Sequence, residues 1–174
     1  MLKIPKRHSL IATGGPEEPW ITRDAISILD KIIKPSWKIA EWGMGSSTIW
    51  LARRCSLLIS IDHNPVWFDE VTAEINRLCL EDKKIAKCKL DLRLETNVEK
   101  YVTVLNSFSE KTFDLILVDG RNRERCIQNA YLRIKKNRCI VLDNSERYNV
   151  PELNDWEKNV TSNPYWDTTF WKRT

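Results

Sequence analysis

The chain has 174 residues, enough for one domain and too few for two full ones at roughly 100–200 residues each. Hydrophobic residues make up 42% and charged residues 30%, which excludes a disordered chain, and no apolar run approaches the about 18 residues of a membrane span. The net charge of +4 is too mild for the concentrated basic stripe of a dedicated nucleic-acid binder.

In chain order, the basic opening Met1-Leu2-Lys3-Ile4-Pro5-Lys6-Arg7 has no long apolar stretch behind it, so no signal peptide is expected. Residues 22–33 carry apolar side chains at 25, 26, 28, 29, 32 and 33, a helical stripe, with Pro35 after its end. A strand over 37–42 is closed by Gly43-Met44-Gly45, and residues 46–55 read as a helix whose first serines can cap free N–H groups. The pattern repeats with a strand over 57–61 ending at Asp62, and a helix opened by Pro65 that runs to about residue 80.

A third strand is predicted over 86–94 and a helix over 98–108. Residues 113–118 form the clearest buried strand, ended by Asp119-Gly120. A helix over 124–136 leads into a strand over 139–142 that ends at Asp143-Asn144. Pro151 begins a last helix, and residues 167–172 form a final strand. Strands alternating with helices give an α/β fold, a three-layer sandwich around a doubly wound, mainly parallel, Rossmann-like sheet of six or seven strands. Residues 1–174 make a single domain.

The five cysteines (55, 79, 88, 126 and 139) are odd in number and include no Cys-x-x-Cys pair. That argues against a disulfide framework or a zinc site and for a reducing cytoplasm. There are two local basic clusters, at 121–125 and 133–138, and the second reads as a solvated helix face more readily than as a nucleic-acid groove. Eight tryptophans are many for this length, and some should line a site.

In a doubly wound sheet, ligands bind beyond the carboxyl ends of the strands. Four such ends here are polar: Glu41 to Gly45, Asp62-His63, Asp119-Gly120-Arg121 and Asp143-Asn144. Gly43-x-Gly45, between a strand and a helix, permits a sharp turn and close backbone approach to a ligand. Asp62 ends the next strand, where a carboxylate can accept hydrogen bonds from both ribose hydroxyls. A pyrophosphate is disfavoured by Glu41, two residues before the first glycine, and by Thr48 in the place of a third glycine. A carboxylate at Glu41 suits an ammonium or sulfonium instead.

Ile39-Ala40-Glu41-Trp42-Gly43-Met44-Gly45-Ser46-Ser47-Thr48 resembles the first motif of class I S-adenosylmethionine-dependent methyltransferases. Asp62 resembles that family's ribose-binding acid, residues 113–120 its fourth-strand motif and residues 140–145 its fifth. Pro19-Trp20-Ile21-Thr22 resembles the entry segment of small bacterial members. The resemblance spans roughly 19–145 and implies a seven-stranded sheet whose last strand is antiparallel, although only about 30 residues follow Asn144, so a short or incomplete final hairpin is expected. It assigns S-adenosylmethionine to Trp20, Glu41, Gly43, Gly45, Ser46, Ser47, Thr48, Asp62, His63 and Asp119. Trp42 is a further candidate to flank the cofactor, whereas Trp37, Trp50 and Trp67 are expected in the core.

Methyl transfer in this family is an in-line attack in which the protein supplies alignment and sometimes a base. Asp119 is the candidate for that polar role, and Arg121 or Arg123 can orient an anionic acceptor. Asp119, Asp143 and Asn144 resemble the magnesium ligands of catechol-type O-methyltransferases, and magnesium is a possible second cofactor. The sequence departs from that pattern at Asn122, where those enzymes have lysine. Tyr148, Trp166 and Trp171 fall in the part of the chain where acceptor pockets are built. The reading is a cytoplasmic methyltransferase acting on a small molecule, at oxygen. Its rivals are N-methylation, a nucleic-acid acceptor, and a non-catalytic partner subunit; a nicotinamide-dependent enzyme is disfavoured by Glu41 and Thr48.

Overall fold

A computed structural model describes residues 18–174. The basic segment at 1–7 and His8 lie outside the described residues. Helix α1 (Arg23–Ile32) leads into β1 (Lys38–Trp42), α2 (Ser46–Ala52), β2 (Leu57–Asp62), α3 (Pro65–Glu81), α4 (Lys83–Lys87) and β3 (Lys89–Leu94). The second half runs through α5 (Val98–Thr103), β4 (Phe113–Val118), α6 (Arg123–Ala130), β5 (Ile134–Asp143), β6 (Glu157–Ser162) and β7 (Asp167–Lys172). Seven strands form one sheet in the order β3-β2-β1-β4-β5-β7-β6. All neighbours are parallel as far as β5; β7 is antiparallel to both β5 and β6.

Strand order reverses at β1, whose chain leaves toward β2 on one side while β4 lies on the other. That is the place where an open α/β sheet has its crevice. Side chains alternate across the central strands with the period of two that a pleated strand imposes. Ile39, Leu115 and Leu117 enter a core with α1, α2 and α3, through Leu29, Leu51 and Ile75. Ala40, Trp42, Ile116 and Val118 enter a second core with α5 and α6, through Val102 and Ile127. Fully burying each such side chain contributes about 1.5–3 kcal/mol.

Side-chain caps fix several helix starts. Asn64 accepts from the Trp67 N–H at the head of α3, with Pro65 in its first position; Asn97 accepts from the Lys100 N–H at α5. The serines expected to cap α2 do not do so. There the Thr48 hydroxyl accepts from the Gly45 N–H at 2.9 Å.

Several boundaries differ from the sequence reading: α2 stops at Ala52 rather than 55, the helix over 98–108 gives way to a 3-10 turn after Thr103, and three further shifts are larger. Residues 86 and 87 belong to α4 rather than to β3, because Asp82 caps a separate short helix through the Lys84 N–H. The helix expected to reach residue 136 stops at Ala130, and β5 begins at Ile134, fully buried and paired with Phe113. Pro151 opens only a single 3-10 turn (Pro151–Leu153), and the residues after it form β6, so the final hairpin is complete, with six residues in each strand.

The strand β5 also settles where the second basic cluster lies. Lys135 and Arg138 bond the carboxylate of Asp114 at the amino end of β4, at 2.9 and 3.1 Å. This is the edge of the sheet opposite the polar strand ends. Burial raises the Asp114 carboxyl, but the Lys38 N–H, Lys135 and Arg138 outweigh it and hold it below its usual value. Among the described residues no helix is long and apolar enough to cross a membrane.

Candidate functional site

The glycine turn after β1 is where the two sides of the sheet meet, and its two glycines have different reasons to be there. Gly43 has φ +99°, and a Cβ on it would stand 2.7–2.8 Å from backbone atoms of Asp119 and Gly120. Its N–H bonds Ile61 O, while the Asp119 N–H bonds Trp42 O, each at 2.8 Å. Gly43 is therefore required by the approach of β1 to β4. Gly45 is extended, with φ 172°, and a Cβ there would find no atom nearer than 3.9 Å, on Trp67. Nothing internal demands a glycine at 45; what its bare backbone leaves is open space at the head of α2.

Behind this turn lies Glu41, fully buried, on the strand face that points toward α2. Its oxygens accept from two hydroxyls, Ser60 at 2.6 Å and Ser47 at 2.9 Å. Ser60 stands opposite it in the β1–β2 register. Burial pushes the Glu41 carboxyl up to about 7, against the downward pull of the Ser60, Thr48 and Ser47 hydroxyls, and the Asp119 charge adds to the rise. No side-chain cation is among these influences.

Asp62, at the carboxyl end of β2, is also buried. Its carboxylate accepts from three backbone N–H groups, Met44 at 2.9 Å, His63 at 2.7 Å and Asn64 at 2.8 Å. It thus ties the end of β2 to the glycine turn. An ionised carboxylate has about four acceptor directions, so one remains for a ligand hydroxyl. His63 is half-buried, with its ring edge-on to Tyr101 at 5.8 Å and Nδ1 3.4 Å from Asp62.

Asp119 and Asp143 end β4 and β5. One Asp119 oxygen accepts from Arg123 at 2.8 Å. The Asp143 carboxylate accepts from the Thr168 hydroxyl at 2.7 Å, and the Thr168 Oγ1 accepts from the Thr22 N–H at 3.2 Å. Burial first, and then the Asp119 charge, push the Asp143 carboxyl up to about 7, against Thr168, Arg123 and the Asn144 N–H. The Thr22 hydroxyl meets that of Thr161, so the segment 19–22 is stitched to the β6–β7 hairpin beside Asp143. Trp20, two residues before that stitch, is 48% exposed.

The other sequence candidates distribute as follows. Ser46 is partly exposed at the head of α2, and Ser47 and Thr48 are buried around Glu41. Arg121 is exposed, and its backbone N–H bonds the Tyr101 hydroxyl at 3.4 Å. Trp42 does not reach the surface: it is fully buried in the second core and donates to Tyr101 O at 2.9 Å. Trp37 and Trp50 are buried in the first core, with Trp67 packed against it. Tyr148 and Trp171 line one cavity of about 140 Å³ together with Ser145, Asn154, Lys158 and Thr169. Trp166 lies outside it, at the β6–β7 turn.

Magnesium fits the three candidate oxygens poorly. Asp119 and Asn144 are bonded by Arg123, and Asp143 by Thr168, so each is already engaged by a neighbour. The sequence reading missed Ser60, Thr161 and Thr168, placed Thr22 in the entry segment without a partner, and gave Arg123 only an alternative role. Ser60 was signalled by being the one polar residue inside Leu57-Leu58-Ile59-Ser60-Ile61, and Arg123 by lying one helical turn after Asp119. Thr161 and Thr168 have no sequence signal, because their meeting with Thr22 depends on the β6–β7 hairpin.

No family model matches the sequence, and no curated protein does so either. Solved structures do resemble the fold. An rRNA methylase from Streptococcus thermophilus aligns with TM-score 0.64 and 11% identity, over 90% of this chain and 100% of that one. A methyltransferase-like protein from Silicibacter pomeroyi aligns with TM-score 0.63 and 14% identity, over 90% of each. A Streptococcus mutans protein in complex with SAH aligns with TM-score 0.61 and 11% identity, over 84% of this chain and 94% of that one. The chain has the Rossmann-like class I methyltransferase fold.

Proposed function

We propose that the protein is an S-adenosylmethionine-dependent methyltransferase that acts on a small-molecule acceptor, at oxygen. The observation that carries this is Glu41, a fully buried carboxylate with hydroxyl partners and, among the described residues, no side-chain cation bonded to it, set behind the open backbone of Gly45. A buried negative charge disfavours a phosphate ligand and favours a cationic one. S-adenosylmethionine is a cationic nucleoside whose sulfonium supplies the transferable methyl group.

In this reading Gly45 and the head of α2 admit the ligand backbone, and Ser46 is the hydroxyl nearest the opening. Gly43 serves by shaping the turn, and Ser47 and Thr48 by holding Glu41. Asp62 offers its remaining acceptor direction to a ribose hydroxyl, beside His63, and Trp20 flanks the opening. Asp119 is the polar group on the acceptor side, and exposed Arg121 orients an anionic acceptor by forked hydrogen bonds. A reducing, cytoplasmic setting suits the five free thiols.

The basic clusters weigh against a nucleic-acid acceptor. Arg123 is buried, Arg125 pairs with Glu99, and Lys135 and Arg138 lie at the opposite sheet edge on Asp114.

Calorimetric titration with S-adenosylmethionine, SAH and NAD tests the reading. Micromolar binding of the first two, about −8 kcal/mol, with none of NAD, is expected. Folded protein that binds neither S-adenosylmethionine nor SAH would overturn it in favour of a non-catalytic partner subunit.

A further inference from the structure

Arg123 is the first residue of α6, and its guanidinium is buried, with 8% of the side chain exposed. A charge removed from water is destabilising unless its hydrogen-bonding groups are all met. Here each of the five N–H directions has an acceptor. Nε donates to Gly120 O at 2.8 Å; one terminal nitrogen donates to Asp143 O and to Asn144 Oδ1, the latter at 3.4 Å. The other donates to Asp119 O at 3.1 Å and to Asp119 Oδ1 at 2.8 Å. The Tyr148 ring lies 5.7 Å from the guanidinium carbon.

These acceptors belong to the ends of two neighbouring strands, β4 and β5. Two of them, the Asp119 carboxylate and the Asn144 amide oxygen, are oxygens that the sequence offered to a divalent ion. Asn144 is held in place by a left-handed backbone, φ 49°, as is Asn122 just before Arg123, φ 50°. Both short polar residues are of the kind that tolerates this conformation.

We propose that Arg123 is a positioning residue that takes the place of a divalent cation between the ends of β4 and β5, so that the site works without a metal. A guanidinium braces the two strand ends as an ion would, but its donors are planar and spent. It has no vacant position for a substrate oxygen and supplies no Lewis acid. On the methyltransferase reading above, acceptors with one nucleophilic atom are therefore favoured over vicinal diols that need chelation.

The cation replacement itself is tested without reference to activity. Mn²⁺ is titrated into the full-length protein and into Arg123→Ala and Arg123→Lys, following the electron paramagnetic resonance signal of free Mn²⁺ and the thermal midpoint. Wild type should leave Mn²⁺ free and keep its midpoint in EDTA. Arg123→Ala should lose roughly 10 °C and recover part of it with ethylguanidinium or with Mn²⁺, which it now binds. Arg123→Lys, which keeps the charge but not the fork, should be intermediate and indifferent to Mn²⁺. Mn²⁺ binding by wild type that Asp119→Asn abolishes would overturn the proposal, as would an Arg123→Ala protein whose stability no cation restores. If Arg123→Ala does not fold, the wild-type and Arg123→Lys titrations decide the matter. Failure of S-adenosylmethionine binding would leave these outcomes unchanged, so the two readings fail separately.

Discussion

The two halves of the carboxyl edge hold buried acids in different ways. Under the glycine turn, hydroxyls bond Glu41 and backbone N–H groups bond Asp62, with His63 Nδ1 3.4 Å from the latter. Across β4 and β5, the Arg123 guanidinium bonds the Asp119 carboxylate, the Asn144 amide oxygen and the main-chain oxygens of Asp119 and Asp143. Among the described residues no lysine or arginine bonds the acids of the first half, and its Gly45 corner is open. The second sets one guanidinium against Asp119, while the Asp143 carboxyl, held by the Thr168 hydroxyl, is pushed up to about 7 as Glu41 is. On the proposed function, a cationic ligand is expected on the first side, and Arg123 stands in for one on the second.

The sharpest way to break the comparison is at Gly43, where the halves touch backbone to backbone. Gly43→Ala combines a positive φ with a Cβ driven into Asp119 and Gly120, and should destabilise by about 3–5 kcal/mol in urea unfolding. An unchanged midpoint would mean that the strand ends separate easily.

Next in size is Glu41→Gln. The folded-state carboxyl, near 7, lies above its unfolded value of 4.5, so the native state holds the proton more tightly. Wild-type stability should then fall as pH rises through that window, by about 3 kcal/mol in total. The glutamine variant should lack that component, which denaturant midpoints measured from pH 4.5 to 8 would reveal; parallel curves would refute it. Calorimetry in two buffers should also find a proton released when S-adenosylmethionine binds to wild type near pH 6.5, and none from the variant.

Gly45→Ala should leave stability within about 0.5 kcal/mol and weaken S-adenosylmethionine by about tenfold, because the added methyl fills ligand space only. A loss of stability without a loss of binding would reverse the roles given to the two glycines. Arg121→Ala is the mildest. It should leave the fold and cofactor affinity alone, and lower kcat/KM by about tenfold for an anionic acceptor but not for a neutral one.

The central sheet was legible because its strands are buried on both faces and bounded by turn residues. Phe113–Val118 is recovered to the residue, and β1 and β2 to within one. The polar strand ends were legible for the same reason: an acid closing a buried apolar run stands out. What could not be read depended on register or on edges. The start of β5 reads as helix in the sequence because Lys135 and Lys136 look solvated, yet Lys135, with Arg138 further along the strand, is drawn down onto Asp114. The role of Arg123 required knowing that β5 ends beside β4, and the threonine stitch required β6, a strand without an apolar stripe.

That strand has a further consequence. In β6 only Thr161 is buried, and the rest of Glu157-Lys158-Asn159-Val160-Thr161-Ser162 faces water at the end of the sheet. An open strand edge is a template on which another chain can lay itself down, and a lysine and a glutamate along it make that pairing unfavourable. The polarity that hides β6 from periodicity thus guards the molecule at high concentration, when neighbouring edges would otherwise meet and join.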